Sequence, residues 1–257
     1  MTDYLKSKYI FEDKISIGEI PAILFRPQEY WDKIPTIILY HGWSSSKESQ
    51  RMRGFILSSV GYQVVIPDAI YHGDRNPLHT YDLDNARKYF WDIIFNNLEE
   101  SEIIIDKMIS KYDADPNRIG VIGNSMGGFT AAGIFTHNPS LKALVVFNGS
   151  CSWEIFNKRH KEHFKLTDGE ELERFEERVK KLDPINNLNL LKDRPILLLH
   201  GDSDSLVPVE SQRIFYSKIK PLYEDKDNIK FIEYHNLNHF VTTNMMEESI
   251  NWLGKYL

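Results

Sequence analysis

The chain has 257 residues, of which 42% are hydrophobic and 26% charged, and 31 Lys and Arg against 37 Asp and Glu give a formal net charge of −6. This is globular composition, which excludes a disordered or collagen-like chain, and the acidic balance excludes the clustered basic footprint of a nucleic-acid binder. The single cysteine, Cys151, excludes a disulfide framework and a cysteine-based zinc site.

Met1 to Phe11 carries Asp3, Lys6 and Lys8 among its apolar residues, so it lacks the unbroken apolar core of a signal peptide. No run approaches the roughly 18–20 apolar residues of a membrane helix. The expectation is a cytoplasmic protein with no membrane partner. Strands are predicted at Tyr9–Ile17 and Ile20–Arg26, an antiparallel hairpin joined by a short Gly-Glu turn, then at Thr36–Tyr40 and Gln63–Pro67. Further strands are predicted at Arg118–Gly123, Ala143–Asn148, Pro195–His200 and Ile229–His235. Helices are predicted near Ser49–Val60, Gly127–His137, Ser211–Lys220 and Asn244–Leu257. A longer one lies between Leu83 and Tyr112, where Trp91, Ile94, Leu98, Ile105 and Met108 recur at helical spacing. Alternating strands and helices imply a mostly parallel, roughly eight-stranded sheet covered on both faces.

One segment breaks the alternation. Ser150 to Asn189 is long for a simple crossover, with a helical stripe of Leu172, Phe175, Val179 and Leu182 and a capping box of Thr167 with Glu170. It reads as a small helical lid, residues 150–189, inserted in a single α/β domain that spans residues 1–257.

The chemistry concentrates at strand ends. Gly123-Asn124-Ser125-Met126-Gly127 follows a predicted strand and opens a small-residue helix. A G-x-S-x-G in that setting is a sharp turn that lifts a serine clear of the sheet. Ser125 needs a base, and the base needs an orienting carboxylate, in the chain order Ser, acid, His. The strand ending at His200 runs into Gly201-Asp202-Ser203-Asp204, and the last strand runs into His235-Asn236-Leu237-Asn238-His239. Asp204 is chosen over Asp202, which directly follows the strand and is placed to brace the loop. His239 is chosen over His235, which still belongs to the strand. His200 and His41 precede glycines at strand ends and are read as local hydrogen-bonding groups. The oxyanion hole is expected from the backbone N–H groups of Met126 and of Trp43, the latter in the His41-Gly42-Trp43 loop after the central strand.

These blocks resemble the α/β-hydrolase superfamily. Asp115-Pro116-Asn117-Arg118-Ile119-Gly120 leading into the Ser125 pentapeptide, His200-Gly201-Asp202-Ser203-Asp204 ending in Val207-Pro208, and Asn238-His239-Phe240 are similar to the nucleophile, acid and histidine blocks of prolyl-oligopeptidase-type serine hydrolases and their small bacterial esterase relatives. Asn238 stands where that group has a small residue. The resemblance spans about Thr36 to the C-terminus and implies an α/β-hydrolase fold with a serine-hydrolase triad. The group's full-length peptidases carry a β-propeller, which this chain is too short to hold. The expected reaction is therefore hydrolysis of short-chain, small-molecule carboxylic esters, with no metal or organic cofactor; the alternatives are peptidase or acyl-amide hydrolysis on the same fold and, third, a non-catalytic binding protein on that scaffold. Tyr71 and His72, in the loop after the fourth strand, and Trp153 and Phe156, at the start of the lid, are candidate substrate contacts. For His72 the other reading is a local hydrogen bond, and for Trp153 and Phe156 it is packing of the lid onto the body.

Overall fold

The computed structural model describes residues 6–30, 32–164 and 170–257, and the side chains of these except residues 159–175. Eight strands form one sheet: β1 (Ile10–Ile17), β2 (Ile20–Pro27), β3 (Ile34–Tyr40), β4 (Gln63–Pro67), β5 (Ala114–Asn124), β6 (Ala143–Phe147), β7 (Ile196–Gly201) and β8 (Ile229–Tyr234). Their spatial order is β1-β2-β4-β3-β5-β6-β7-β8. The predicted hairpin of β1 and β2 forms and joins β4 antiparallel, while β4 through β8 run parallel to one another. The helices are α1 (Arg51–Ser59), α2 (Leu83–Lys111), α3 (Met126–His137), α4 (Trp153–Phe164), α5 (Glu170–Leu182), α6 (Glu210–Ile219) and α7 (Thr243–Tyr256).

Every residue of β4, β6 and β7 is buried. Such runs have no polar face because helices cover both sides of the sheet. Successive side chains point to opposite faces, and the core divides accordingly. Ile37, Leu39, Val64, Ile122 and Leu197 pack with Leu57 of α1 and Leu253 of α7. Ile38, Val65, Val121, Val146 and Leu198 pack with Met108 of α2, Phe135 of α3 and Phe215 of α6. A third cluster of Trp91, Ile94, Phe95, Met126, Phe129, Trp153, Val179 and Val207 reaches the residues directly after Ser125 and beyond Asp204.

Strand β5 begins four residues earlier than the sequence predicts. Ile34 pairs with Ala114, then the register shifts and Thr36 pairs with Ile119. The intervening residues bulge, and Asp115 accepts hydrogen bonds from the Asn117 amide at 2.9 Å and the Arg118 Nε at 2.7 Å. A proline is tolerated at such a bulge because no ladder bond is asked of it. Between β6 and β7 lie α4 and α5. Val179 of α5 is fully buried, while Thr167 and the side chains of Leu172 and Phe175 fall outside the described residues. Among the described residues no helix is long and apolar enough to cross a membrane.

Candidate active site

Ser125 sits between β5 and α3 with φ 57° and ψ −124°. This backbone region costs a non-glycine residue on the order of 1–3 kcal/mol. The turn is held by its neighbours. The Ser125 amide donates to the Phe147 carbonyl of the adjacent strand at 2.9 Å, and the Ser125 carbonyl accepts from the Gly128 amide at 2.7 Å. A Cβ on Gly123 would collide with the Gly127 carbonyl, and one on Gly127 with the Tyr40 carbonyl, so the turn closes only with glycine at both positions. The Ser125 side chain makes no hydrogen bond to the helix it precedes and is half-buried.

The ends of β7 and β8 bring two Asp–His pairs together. His239 Nδ1 lies 2.7 Å from Asp204 Oδ2, and His235 Nδ1 lies 2.9 Å from Asp202 Oδ2. Burial separates the pairs. The Asp204 carboxylate is inaccessible and the His239 ring 15% exposed, whereas the His235 ring is 84% exposed. Asp204 Oδ1 accepts from the Leu206 and Val207 amides at 2.9 Å each. Burial works against ionisation of Asp204, but hydrogen bonds from His200, His239 and the Val207 amide outweigh it and hold the carboxyl well below the usual range. His239 Nε2 has no protein hydrogen bond among the described residues.

His200 does more than the local bonding expected of it. Its Nε2 is 2.8 Å from the Val207 carbonyl and 3.2 Å from Asp204 Oδ2, so two imidazoles face the same carboxylate oxygen. Asn238 is equally informative. Its Oδ1 accepts from the His239 amide at 2.8 Å, the Ser205 amide at 3.0 Å and the Ser205 hydroxyl at 3.1 Å. The side chain that departs from the usual small residue thus clamps the histidine loop onto the acid loop.

The loop after β3 lies against the serine. An added Cβ on Gly42 would stand 3.2 Å from the Ser125 Cβ. The Trp43 amide has no protein acceptor among the described residues, and the Gly42 carbonyl is turned to accept from the Ser45 amide at 3.3 Å. His41 holds that carbonyl too, with Nδ1 at 2.9 Å from it and Nε2 at 3.1 Å from the Ala69 amide. An amide only donates, so Nε2 must be the acceptor and Nδ1 carries the proton: a neutral imidazole. Burial, reinforced by neighbouring His72, pushes the His41 pKa down to about 4. The unfolded chain takes up this proton near pH 6.5, so unfolding is favoured as pH falls from about 6.5 to about 4 and the contribution is complete above that window. Asp183, whose pKa burial raises to about 6, pulls the opposite way. The stability difference between wild type and His41→Gln cancels the Asp183 contribution. Urea unfolding should show that difference shrinking by about 3 kcal/mol across the window; a difference constant with pH would mean His41 is not held neutral.

A model of the prolyl oligopeptidase family matches residues 96–257. The chain belongs to the prolyl oligopeptidase family. YitV of Bacillus subtilis (strain 168), a candidate esterase by its description, is 32% identical over 87% of this chain and 90% of its own length. The esterase YjfP of Escherichia coli (strain K12) is 25% identical over 94% of this chain and 97% of its own. Among solved structures, TT1662 from Thermus thermophilus superposes with a TM-score of 0.78 at 16% identity, covering 96% of this chain and 97% of that one. The fold is the α/β-hydrolase fold, and this member of the prolyl oligopeptidase family is a hydrolase.

The candidate substrate contacts separate by burial. His72 is completely buried, stacks on Tyr81 with ring centroids 4.8 Å apart and lies 2.9 Å from the Ile70 carbonyl, which fits the local reading. Trp153 is also completely buried; its Nε1 donates to the Ser150 carbonyl at 3.1 Å and its indole fills the space a Gly133 side chain would need. That fits packing of α4 onto the body of the fold. Tyr71 and Phe156 are half-buried against the third cluster. Phe90 of α2, which stands in none of the motifs legible in the sequence, joins them. It lies 5.8 Å from Phe156 and 6.3 Å from Trp43, centroid to centroid, and so bridges α4 and the loop after β3. The helical spacing of α2 marked only its inward stripe.

Proposed function

We propose that this hydrolase cleaves short-chain carboxylic esters through an acyl-serine intermediate, with Ser125, His239 and Asp204 as its triad. The observation that carries the reading is the buried 2.7 Å contact between His239 and Asp204, on loops at the same carboxyl edge of the parallel sheet as a serine held in a strained strand-to-helix turn. His239 Nε2 takes the Ser125 proton as the oxygen attacks the ester carbonyl. Amides of Met126 and Trp43 receive the oxyanion. His239 then protonates the departing alcohol, and water repeats the sequence to release the acid. Asp204 keeps the imidazole proton on Nδ1 throughout. Among the described residues the Ser125 hydroxyl and His239 Nε2 have no protein hydrogen-bond partner, which leaves them available to each other; such bonds are commonly long in unliganded enzymes and tighten around substrate. Half-buried Trp43, Tyr71, Phe90 and Phe156 supply an apolar wall for the acyl group, and α4 with α5 forms the cap above it.

Membership of the prolyl oligopeptidase family favours a second reading, in which the same triad cleaves acyl-amide or peptide bonds. A fluorophosphonate probe should label Ser125, located by peptide mass spectrometry, and p-nitrophenyl butyrate should turn over faster than aminoacyl-nitroanilides. Faster nitroanilide cleavage would move the assignment to the second reading. Absence of labelling would remove Ser125 as nucleophile in both.

A further inference from the structure

Asn148 follows β6 and belongs to none of the motifs legible in the sequence. It is completely buried and has φ 43°, a left-handed conformation that asparagine tolerates better than most residues. Its polar groups reach the end of β7 and the loop after β8. The backbone amide donates to the Leu199 carbonyl of β7 at 2.9 Å. The side-chain Oδ1 accepts from the Gly201 amide at 3.0 Å, and Nδ2 donates to the Phe240 carbonyl at 2.9 Å. The preceding carbonyl, that of Phe147, receives the Ser125 amide.

The chemistry of these partners leaves one choice of side chain. The Gly201 amide can only donate and the Phe240 carbonyl can only accept. A carboxamide meets both at once and in one orientation. A carboxylate would set an oxygen against the Phe240 carbonyl, and a glycine would leave both buried groups unpaired.

We propose that Asn148 is a positioning residue that fixes His239 relative to Ser125; the proposal rests on the triad reading above. His239 lies in a tight turn closed by the Phe240 amide donating to the Asn238 carbonyl at 2.8 Å. On the side before the imidazole, Asn238 Oδ1 holds the His239 amide. On the side after it, the Phe240 side chain is 68% exposed and gives no packing anchor. The Asn148 carboxamide supplies the anchor through the Phe240 backbone. The same residue is tied to Gly201, three residues before Asp204, and is adjacent in the chain to the carbonyl that holds Ser125. The side chain therefore ties the acid and base loops together, at a residue whose preceding backbone carbonyl holds the Ser125 amide.

The test compares Asn148→Asp and Asn148→Gly with wild type and with Ser125→Ala. Both substitutions accept the positive φ, and Asp keeps the acceptor for Gly201 while removing the donor to Phe240. Turnover of p-nitrophenyl butyrate is expressed per fluorophosphonate-titrated site, so that a smaller folded fraction does not count. Both variants are expected to lose kcat by roughly 10²-fold with KM unchanged, as a misplaced catalytic group does. The downfield proton resonance of the His239 Nδ1–H is expected to shift or broaden, a change that simple loss of stability does not produce. Folded variants with wild-type kcat and an unmoved resonance overturn the proposal. So does loss of the cooperative melt in both variants, which would make Asn148 a folding determinant instead. Wild-type turnover in Ser125→Ala would bring down the triad itself, and a dead Ser125→Ala beside fully active Asn148 variants brings down only the positioning role.

Discussion

Ser125→Ala is expected to lower kcat for p-nitrophenyl esters by on the order of 10⁶-fold while leaving the melting temperature in place. The two halves of this expectation have separate grounds. Chemically, in the proposed triad the hydroxyl is the atom that becomes the acyl ester. The residual rate comes from the oxyanion amides and substrate binding, which alone leave about 10³–10⁴-fold over water in comparable triads. Structurally, the hydroxyl makes no hydrogen bond that caps α3, so its removal orphans no partner there. The Cβ and the strained φ are retained, because the turn is fixed by the Ser125 amide on Phe147 and by the close approach of Gly123 and Gly127. Steady-state rates paired with a thermal melt check both. A variant that keeps a measurable share of wild-type turnover would show that another group attacks the ester.

The parts of this site that were legible in the sequence lie where a local pattern and a strand end coincide. Gly123 and Gly127 announce the turn because their absence of Cβ is a steric requirement on both sides of one residue. Asp204 and His239 were chosen over Asp202 and His235 by loop position, yet His235, expected within the last strand, lies just beyond the end of β8 at Tyr234; the structure forms both pairs and separates them by burial instead. The strands were legible for a similar reason, since β4, β6 and β7 are apolar on both faces. Strand β5 escaped at its start because a proline bulge hides the pairing of Ala114 with Ile34. What remained hidden depends on loops converging from distant parts of the chain. His200 reads as a strand-end histidine until the acid loop folds back and sets Asp204 against it. Asn148 is an unremarked polar residue until β7 and the histidine loop supply its donor and acceptor. Phe90 lies off the inward stripe of α2, and only the packing of α4 gives its outward face a neighbour. His72 and Trp153 sit in chain positions suited to a site mouth, yet both rings turn inward, a choice set by tertiary packing.

Asp204→Asn carries the second large effect, a loss of about 10⁴-fold in kcat with the fold intact. The hydrogen bonds around the carboxylate dictate how the amide must sit. Oδ1 accepts from the backbone amides of Leu206 and Val207, which can only donate, so the carbonyl oxygen of the asparagine must take that side. Its NH₂ group is then forced into the place of Oδ2, facing His239 Nδ1 and His200 Nε2. His239 can meet a donor there only with a bare Nδ1. Its proton moves to Nε2, the atom that must accept from Ser125, and the base is lost without moving any ring. His200 cannot make the same adjustment freely, because its Nε2–H is committed to the Val207 carbonyl at 2.8 Å. The asparagine therefore meets one imidazole that yields and one that resists, and the loop should lose some stability as well as activity. His200→Phe in the Asp204→Asn background removes the resisting donor but also orphans the buried Val207 carbonyl, so stability should not recover, and turnover should stay lost because the His239 tautomer stays wrong. Rates and urea unfolding of the two variants separate these effects. Turnover near the wild-type level in Asp204→Asn would instead assign the acid to Asp202, whose pairing with the exposed His235 is the other arrangement these loops hold.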